Sequence, residues 1–291
     1  MVSKVDASEL IKKVRKIEIK TRGLSQHVFA GEYHSAFKGR GVTFSEVREY
    51  QYGDDIRNID WNVTARFNHP YIKVFEEERE LTVLLLVDTS GSRNFGSVSQ
   101  IRRNILTEIS AVLSFSAIQN NDKIGLILFS DRVEKFIPPK KGKKHILHII
   151  RELIEFDPQS TKTNLNEPLI FLTNAIKKRC TAFIISDFIC PEFEEPLKIA
   201  SRKHDIVALQ VYDRRDKEIP DMGLVKFTDS ETGSDKWVDT SLETTRKKYS
   251  ENWNKRQKQL QNTFSRTGVD NTSVSTSEDY VKPLITLFKK R

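Results

Sequence analysis

LTVLLLVDTSGS, residues Leu81 to Ser92, opens as an apolar run far shorter than the ~20 residues that span a membrane. A short continuous apolar run bounded by turn residues is what a fully buried strand needs, most simply a central strand of a parallel sheet. The run stops at Asp88, and Thr89, Ser90, Gly91 and Ser92 follow. A carboxylate and two hydroxyls therefore stand at alternate positions beyond the carboxyl end of a buried strand, where ligands bind in open α/β sheets. Gly91 permits a tight turn, so that oxygens of Asp88, Ser90 and Ser92 can converge on one point. Such a point suits a hard cation such as Mg2+, which takes oxygen ligands.

The pattern D-x-S-x-S after an apolar strand resembles the metal-ion-dependent adhesion site of von Willebrand factor A domains. The resemblance implies two further ligands, a Thr from a second loop and an Asp from a third. TKTNLNEPL supplies Thr163 just before an expected helix, and AFIISDF supplies Asp187 at the end of another apolar run. Alone, D-x-S-x-S is weak evidence, because Ser90 and Ser92 would serve equally as caps of the next helix and Asp88 as a turn residue. Three parts in the right order, each at the end of an element, carry the resemblance. It implies one Mg2+ or Mn2+ held by Asp88, Ser90, Ser92, Thr163 and Asp187, with a partner protein's Glu or Asp filling the open position.

Hydrophobic residues make up 37% and charged residues 30% of the 291, a balance that suits a folded globular chain rather than a disordered one. No stretch is long and apolar enough for a transmembrane helix, and MVSKVDASELIKKVRKIEIK has no signal-peptide core. Cys180 and Cys190 lie at opposite ends of the apolar run before Asp187, so they are expected to be reduced thiols in a cytoplasmic protein. The net charge of +8 is unevenly spread: 9 Lys/Arg against 4 acids in residues 1–40, 5 against 9 in 41–80, and 11 against 5 from Ser241 on. Basic ends can meet nucleic acid or an acidic membrane surface, or be solvated helix faces. Residues 6–22 place Leu10, Ile11, Val14 and Ile17 on one face of a basic amphipathic helix, expected to pack on the body of the protein rather than on a membrane.

Residues 38–80 are dense in paired charge. FSEVREYQY reads as a strand, Gly53-Asp54-Asp55 as a turn and Tyr71–Phe75 as another strand. Glu46, Asp54 or Asp60 would be acid/base groups in an enzyme; as a salt-bridge network, with Glu46, Arg48, Asp55, Arg57 and Arg66, they would instead fix the segment in place. G-R-G-x-x-F-x-E-V-R-x-Y-x-x-G-D-D-x-R-x-I-D-W over Gly39–Trp61, then Ala65-Arg66 and K-x-F-x-E-E-R-E over Lys73–Glu80, resembles the signature of the bacterial domain-of-unknown-function-58 family. The resemblance implies an N-terminal signature segment, residues 1–80, docked on a von Willebrand A-like domain, residues 81–291. It also implies a partner, a MoxR-type AAA+ ATPase, with the chain as an adaptor in the assembly or maturation of other proteins.

Beyond Ser92, helices and strands are expected to alternate, the order of a parallel sheet with crossover helices. Helices are expected over Ser99–Asn120, the end of KKGKKHILHIIRELIEF, Asn164–Arg179, Glu194–Lys203, Leu242–Arg266 and Tyr280–Lys290. Strands are expected over Lys123–Phe129, Arg132–Ile137, Ala182–Ser186 and Ile206–Tyr212, with Pro138-Pro139 breaking the pattern and a hairpin turning at Glu231–Ser234. His145 and His148, one turn apart, lack a third ligand and are expected at the surface. The element order gives an α/β fold class, a mostly parallel sheet flanked by helices with an N-terminal extension, and the resemblance implies that it is von Willebrand A-like (Rossmann-like).

Catalysis finds little support. Ser90 lacks a G-x-S-x-G setting, no P-loop is present, and a haloacid-dehalogenase-type phosphatase would need Asp where Ser90 stands. Metal-assisted hydrolysis would need a base beside an activated water or a second ion. The aromatics lie mostly in apolar runs rather than among Arg and Lys, which argues against a nucleic-acid-binding module, the alternative from another class. The expectation is a non-enzymatic, metal-dependent protein-interaction module.

Overall fold

TVLLLVD, an apolar run closed by Asp88, forms an inner strand of the sheet with both of its faces covered. The computed structural model describes residues 15, 41–78, 80–91, 102–229 and 233–291. The expected helix at 6–22 lies outside them apart from Arg15, and so does Ser92. Contacts divide the chain between Glu80 and Leu81.

In the smaller unit, β1 (Gly41–Glu49) pairs antiparallel with β2 (Tyr71–Glu78), with a bulge between Phe44 and Glu46. The helix between them, α1 (Trp61–Phe67), starts where Asp60 accepts hydrogen bonds from the N–H groups of Asn62 at 3.0 Å and Val63 at 3.2 Å. Asp55 likewise caps a 3-10 turn at Ile56–Asn58. Arg48 grips both oxygens of Asp54, at 2.7 and 2.8 Å, and this bond holds the Asp54 carboxyl below its usual range. Asp54 and Asp60 thus act as ion-pair and capping groups, the structural alternative to acid/base roles.

The larger unit carries β3 (Thr82–Asp88), α2 (Arg102–Gln119), β4 (Lys123–Phe129), β5 (Val133–Lys140), α3 (Lys143–Glu155), α4 (Asn166–Ala175), β6 (Thr181–Ser186), α5 (Glu194–Lys203) and β7 (Asp205–Tyr212). The short α6 (Arg214–Lys217), the hairpin β8 (Leu224–Thr228) and β9 (Asp235–Asp239), α7 (Glu243–Thr267), β10 (Asp270–Ser275) and α8 (Val281–Lys289) follow. The main sheet has the order β10-β7-β6-β3-β4-β5, parallel except for β5. This is the α/β class expected from the sequence, a mostly parallel sheet flanked by helices. Val83, Leu85 and Val87 of β3 join a core with α2, α3 and α8, while Leu84 and Leu86 face a second core with α4, α5 and α7. Burial on both faces is why β3 shows no polar alternation, and each such Leu contributes about 1.5–3 kcal/mol.

Helix α2 is buried around most of its circumference. Its serines are accommodated by donating to carbonyls one turn back, Ser110 to Leu106 at 2.7 Å, Ser114 to Ser110 at 2.7 Å and Ser116 to Val112 at 2.9 Å.

Three expectations need correction, and one strand was not foreseen. Pro138 and Pro139 do not end the strand; they lie within β5. They are tolerated because β5 is an edge strand and its register slips between the Ile124 and Leu126 pairings. Gly125 sits at this irregularity, where an added Cβ would stand 2.6 Å from Leu84 Cδ2 and 2.8 Å from the Ile137 carbonyl oxygen. His145 is not a surface histidine: it is half-buried, with Nε2 2.8 Å from the Ile124 carbonyl oxygen. Helix α4 ends at Ala175 rather than Arg179, because Ile176 turns extended towards β6. Strand β10, unforeseen, pairs parallel with β7 at the sheet edge. Neither Cys180 nor Cys190 is in a disulfide, and no helix among the described residues is long and apolar enough to cross a membrane.

Candidate functional site at the carboxyl ends of β3 and β6

Because β3, β4, β6 and β7 run parallel, their carboxyl ends open on one edge of the sheet. Asp88 closes β3 and Asp187 follows β6, each only 3–4% exposed; Ser90 is fully buried and Thr163 is 4% exposed. The backbone N–H of Ser90 donates to Asp88 Oδ1 at 2.8 Å, and the Ser186 hydroxyl donates to Asp88 Oδ2 at 2.6 Å. Two hydrogen bonds stitch in the loop that carries Thr163. Gly91 N–H donates to the Thr161 carbonyl at 2.9 Å, and Asn164 N–H to the Ser130 carbonyl at 2.9 Å. Glu134 Oε1 holds the same loop by accepting from the Ser130 hydroxyl at 2.6 Å and from Gln159 and Ser160 N–H at 3.2 Å each. Four of the five expected ligands therefore sit buried on neighbouring loops of one sheet edge. Ser92 lies outside the described residues.

The chain turns sharply after β6. Phe188 adopts a left-handed conformation with φ 57°, which costs a non-glycine residue about 1–2 kcal/mol. Its ring is anchored against Phe264 at 5.3 Å and Phe193 at 6.0 Å, and its N–H donates to the Ser186 hydroxyl oxygen at 3.0 Å. Beside Asp187 a groove of about 810 Å3 runs between the Phe188–Glu194 loop and the Trp253, Arg256 and Leu260 side of α7.

Among the described residues the site carries excess negative charge. Burial, and then the neighbouring charge of Asp187, push the Asp88 carboxyl up to about 6. The hydrogen bonds that oppose this come from neutral donors, the Ser186 hydroxyl and the N–H and hydroxyl of Ser90. Asp187 has a different environment. Arg102, 2% exposed, donates from Nη1 to Asp187 Oδ2 at 2.6 Å and from Nη2 to Asp216 Oδ2. Asp187 Oδ1 accepts from Ile189 N–H at 3.0 Å.

A divalent cation fits this donor set. Every donor is a hard oxygen, and Asp88 is a buried carboxylate beside a second carboxylate, with neutral groups hydrogen-bonded to it among the described residues. Among the described residues no three His, Cys, Asp or Glu side chains cluster as metal ligands, so a cation here relies on the hydroxyls of Ser90 and Thr163 beside the carboxylates. Bound there, it would supply positive charge and a position for an outside oxygen.

Residues 46–259 match the family described as Protein of unknown function DUF58. The chain belongs to this family. A relative, Rv1480 of Mycobacterium tuberculosis, described as an uncharacterized protein, is 30% identical over 232 residues, 79% of this chain and 73% of that protein. Among solved structures, the chain is similar to an aerotolerance-related membrane protein from Bacteroides fragilis, at 16% identity and a TM-score of 0.49, covering 72% of this chain and 100% of that one. It is also similar to the SpRpn10 VWA domain, at 10% identity and a TM-score of 0.40, covering 73% and 95%.

For this DUF58 chain, sequence reasoning missed Arg102, Ser186 and Asp216. Ser186 immediately precedes Asp187 at the end of an apolar run, so its place at the strand exit was a usable signal. Arg102 and Asp216 carried none, since each stands in a charged stretch that reads as solvated surface.

Proposed function

We propose that the chain is a non-enzymatic docking protein whose site at Asp88, Ser90, Ser92, Thr163 and Asp187 holds one Mg2+ or Mn2+ weakly. A partner's Glu or Asp carboxylate completes the coordination. The reading is carried by one observation: Asp88 is a buried carboxylate next to Asp187, and its hydrogen-bond donors among the described residues are neutral. Two carboxylates among hydroxyl ligands only just offset a divalent charge, so such an ion stays electrophilic towards an outside anionic oxygen. The resemblance to the family supplies the partner class, a MoxR-type AAA+ ATPase, with the chain acting as its adaptor in the assembly or maturation of other proteins.

The test is affinity for a co-purified MoxR-type ATPase in Mg2+ and in EDTA. EDTA is expected to abolish capture. Thr163→Ala, which removes a hydroxyl from a loop held by backbone hydrogen bonds, is expected to weaken binding about tenfold, or ~1.4 kcal/mol, with the melting temperature unchanged. Affinity unmoved by EDTA and by Thr163→Ala would place docking elsewhere. Turnover of phosphoester substrates in the same preparation would mark a hydrolase instead.

A further inference from the structure

We propose that Arg102 is a built-in competitor of the cation for Asp187, so that the site is held closed by an internal guanidinium until a divalent ion displaces it. This rests on the reading of the site as a cation site. Both oxygens of Asp187 are already engaged, Oδ2 by Arg102 Nη1 at 2.6 Å and Oδ1 by Ile189 N–H at 3.0 Å. Each oxygen keeps a second lone pair, but a cation that ligates Asp187 directly meets the positive guanidinium on the same carboxylate, and the repulsion falls on that bond rather than on the neutral backbone N–H. The backbone bond belongs to the turn fixed by Phe188, whereas the guanidinium is a side chain with a second anchor.

That anchor is Asp216, on the short helix α6, which takes Arg102 Nη2 and also accepts from Asp213 N–H at 2.7 Å. Arg102 joins three elements: the start of the described α2, the exit of β6, and α6. The planar fork of arginine suits this bridge, because it can hold one carboxylate with each terminal nitrogen. Released from Asp187, the guanidinium keeps a carboxylate partner, so displacement does not strand a buried positive charge. A singly charged internal cation thus stands in for the divalent one, and its removal lowers the barrier to metal uptake. The α6 end is tied to α7 by the Tyr249 hydroxyl, which donates to the Arg215 carbonyl at 3.1 Å, and by Ser250, which donates to the Lys217 carbonyl at 3.1 Å. Arg102 is a positioning residue here and touches no partner in this account.

The experiment is a Mn2+ titration followed by electron paramagnetic resonance of the free ion, on the full chain. Arg102→Met is expected to bind Mn2+ at least tenfold more tightly than the wild type, and Arg102→Lys to fall between them. A folded Arg102→Met protein that binds no more tightly than a wild type whose binding Asp88→Ala abolishes would overturn the competitor role and leave the cation site standing. Absence of binding in both the wild type and Arg102→Met would overturn the cation site itself. Should Arg102→Met fail to fold, Asp216→Asn decides. It concentrates the guanidinium on Asp187 and is expected to weaken Mn2+ binding at least threefold; unchanged affinity overturns the proposal.

Discussion

Asp187→Ala is expected to lower the free energy of unfolding by about 3 kcal/mol in EDTA, measured by urea denaturation near pH 7.5. Removing one partner of a buried ion pair costs about 3–5 kcal/mol, because the other charge is left without compensation. Arg102 is 2% exposed and keeps Asp216, which puts the loss at the lower end. The Ile189 N–H loses its acceptor as well. Asp187→Asn is expected to lose less, since an amide oxygen still accepts from one of the two donors. A loss below about 1 kcal/mol would mean that the pair is as weak as one at the surface and that Arg102 is not held as described.

Asp88→Asn is expected to act in the opposite direction and to stabilise the protein at pH 7 in EDTA by about 2–3 kcal/mol. Burial and the charge of Asp187 raise the folded-state carboxyl from 3.8 to about 6. The folded protein therefore binds this proton more tightly than the unfolded chain does. Its contribution to stability is highest below pH ~4, falls as pH rises through the window between ~4 and ~6, and is an unrelieved cost above it. At ~1.4 kcal/mol per pKa unit, the cost at pH 7 is about 3 kcal/mol. Asparagine is neutral and retains an oxygen for Ser90 N–H, while its amide can donate to the Ser186 oxygen. Stability curves at pH 4 and pH 7 check this: the wild type gains on acidification relative to Asp88→Asn, and the gap closes at pH 4. Saturating Mg2+ should stabilise the wild type alone at pH 7, by mass action on the folded state. A mutant less stable than the wild type at pH 7 in EDTA would contradict a strained carboxylate at this position. A site that costs the fold stability until it meets its ligand is the usual trade between stability and function.

The two predictions turn on neighbours that differ in how visible they were in the sequence. Asp88 and Asp187 were legible because each ends a strand buried on both faces, and such a strand writes itself as a continuous apolar run. Thr163 was legible only through the resemblance, since nothing in TKTNLNEPL by itself says that the loop meets the exit of β3. The main helices and strands of the larger unit were legible from their periodicity and length. Strand β10, DNTSVS, was not, because it lies at the sheet edge and its first residue is exposed while the next three are only half-buried. Pro138-Pro139 misled for a related reason: an edge strand with a slipped register tolerates residues that a central ladder excludes. Arg102 was the largest omission. A charged residue at the start of a helix reads as solvated, and burying it requires carboxylates from positions 85 and 114 residues away, which no local pattern encodes.

The most direct measurement is an anomalous difference map from crystals of the protein soaked in Mn2+. The account predicts one peak among the oxygens of Asp88, Ser90, Ser92, Thr163 and Asp187, with Arg102 withdrawn from Asp187 and one position open to an outside oxygen. Saturated crystals with no peak there, and Arg102 still bonded to Asp187, would contradict it.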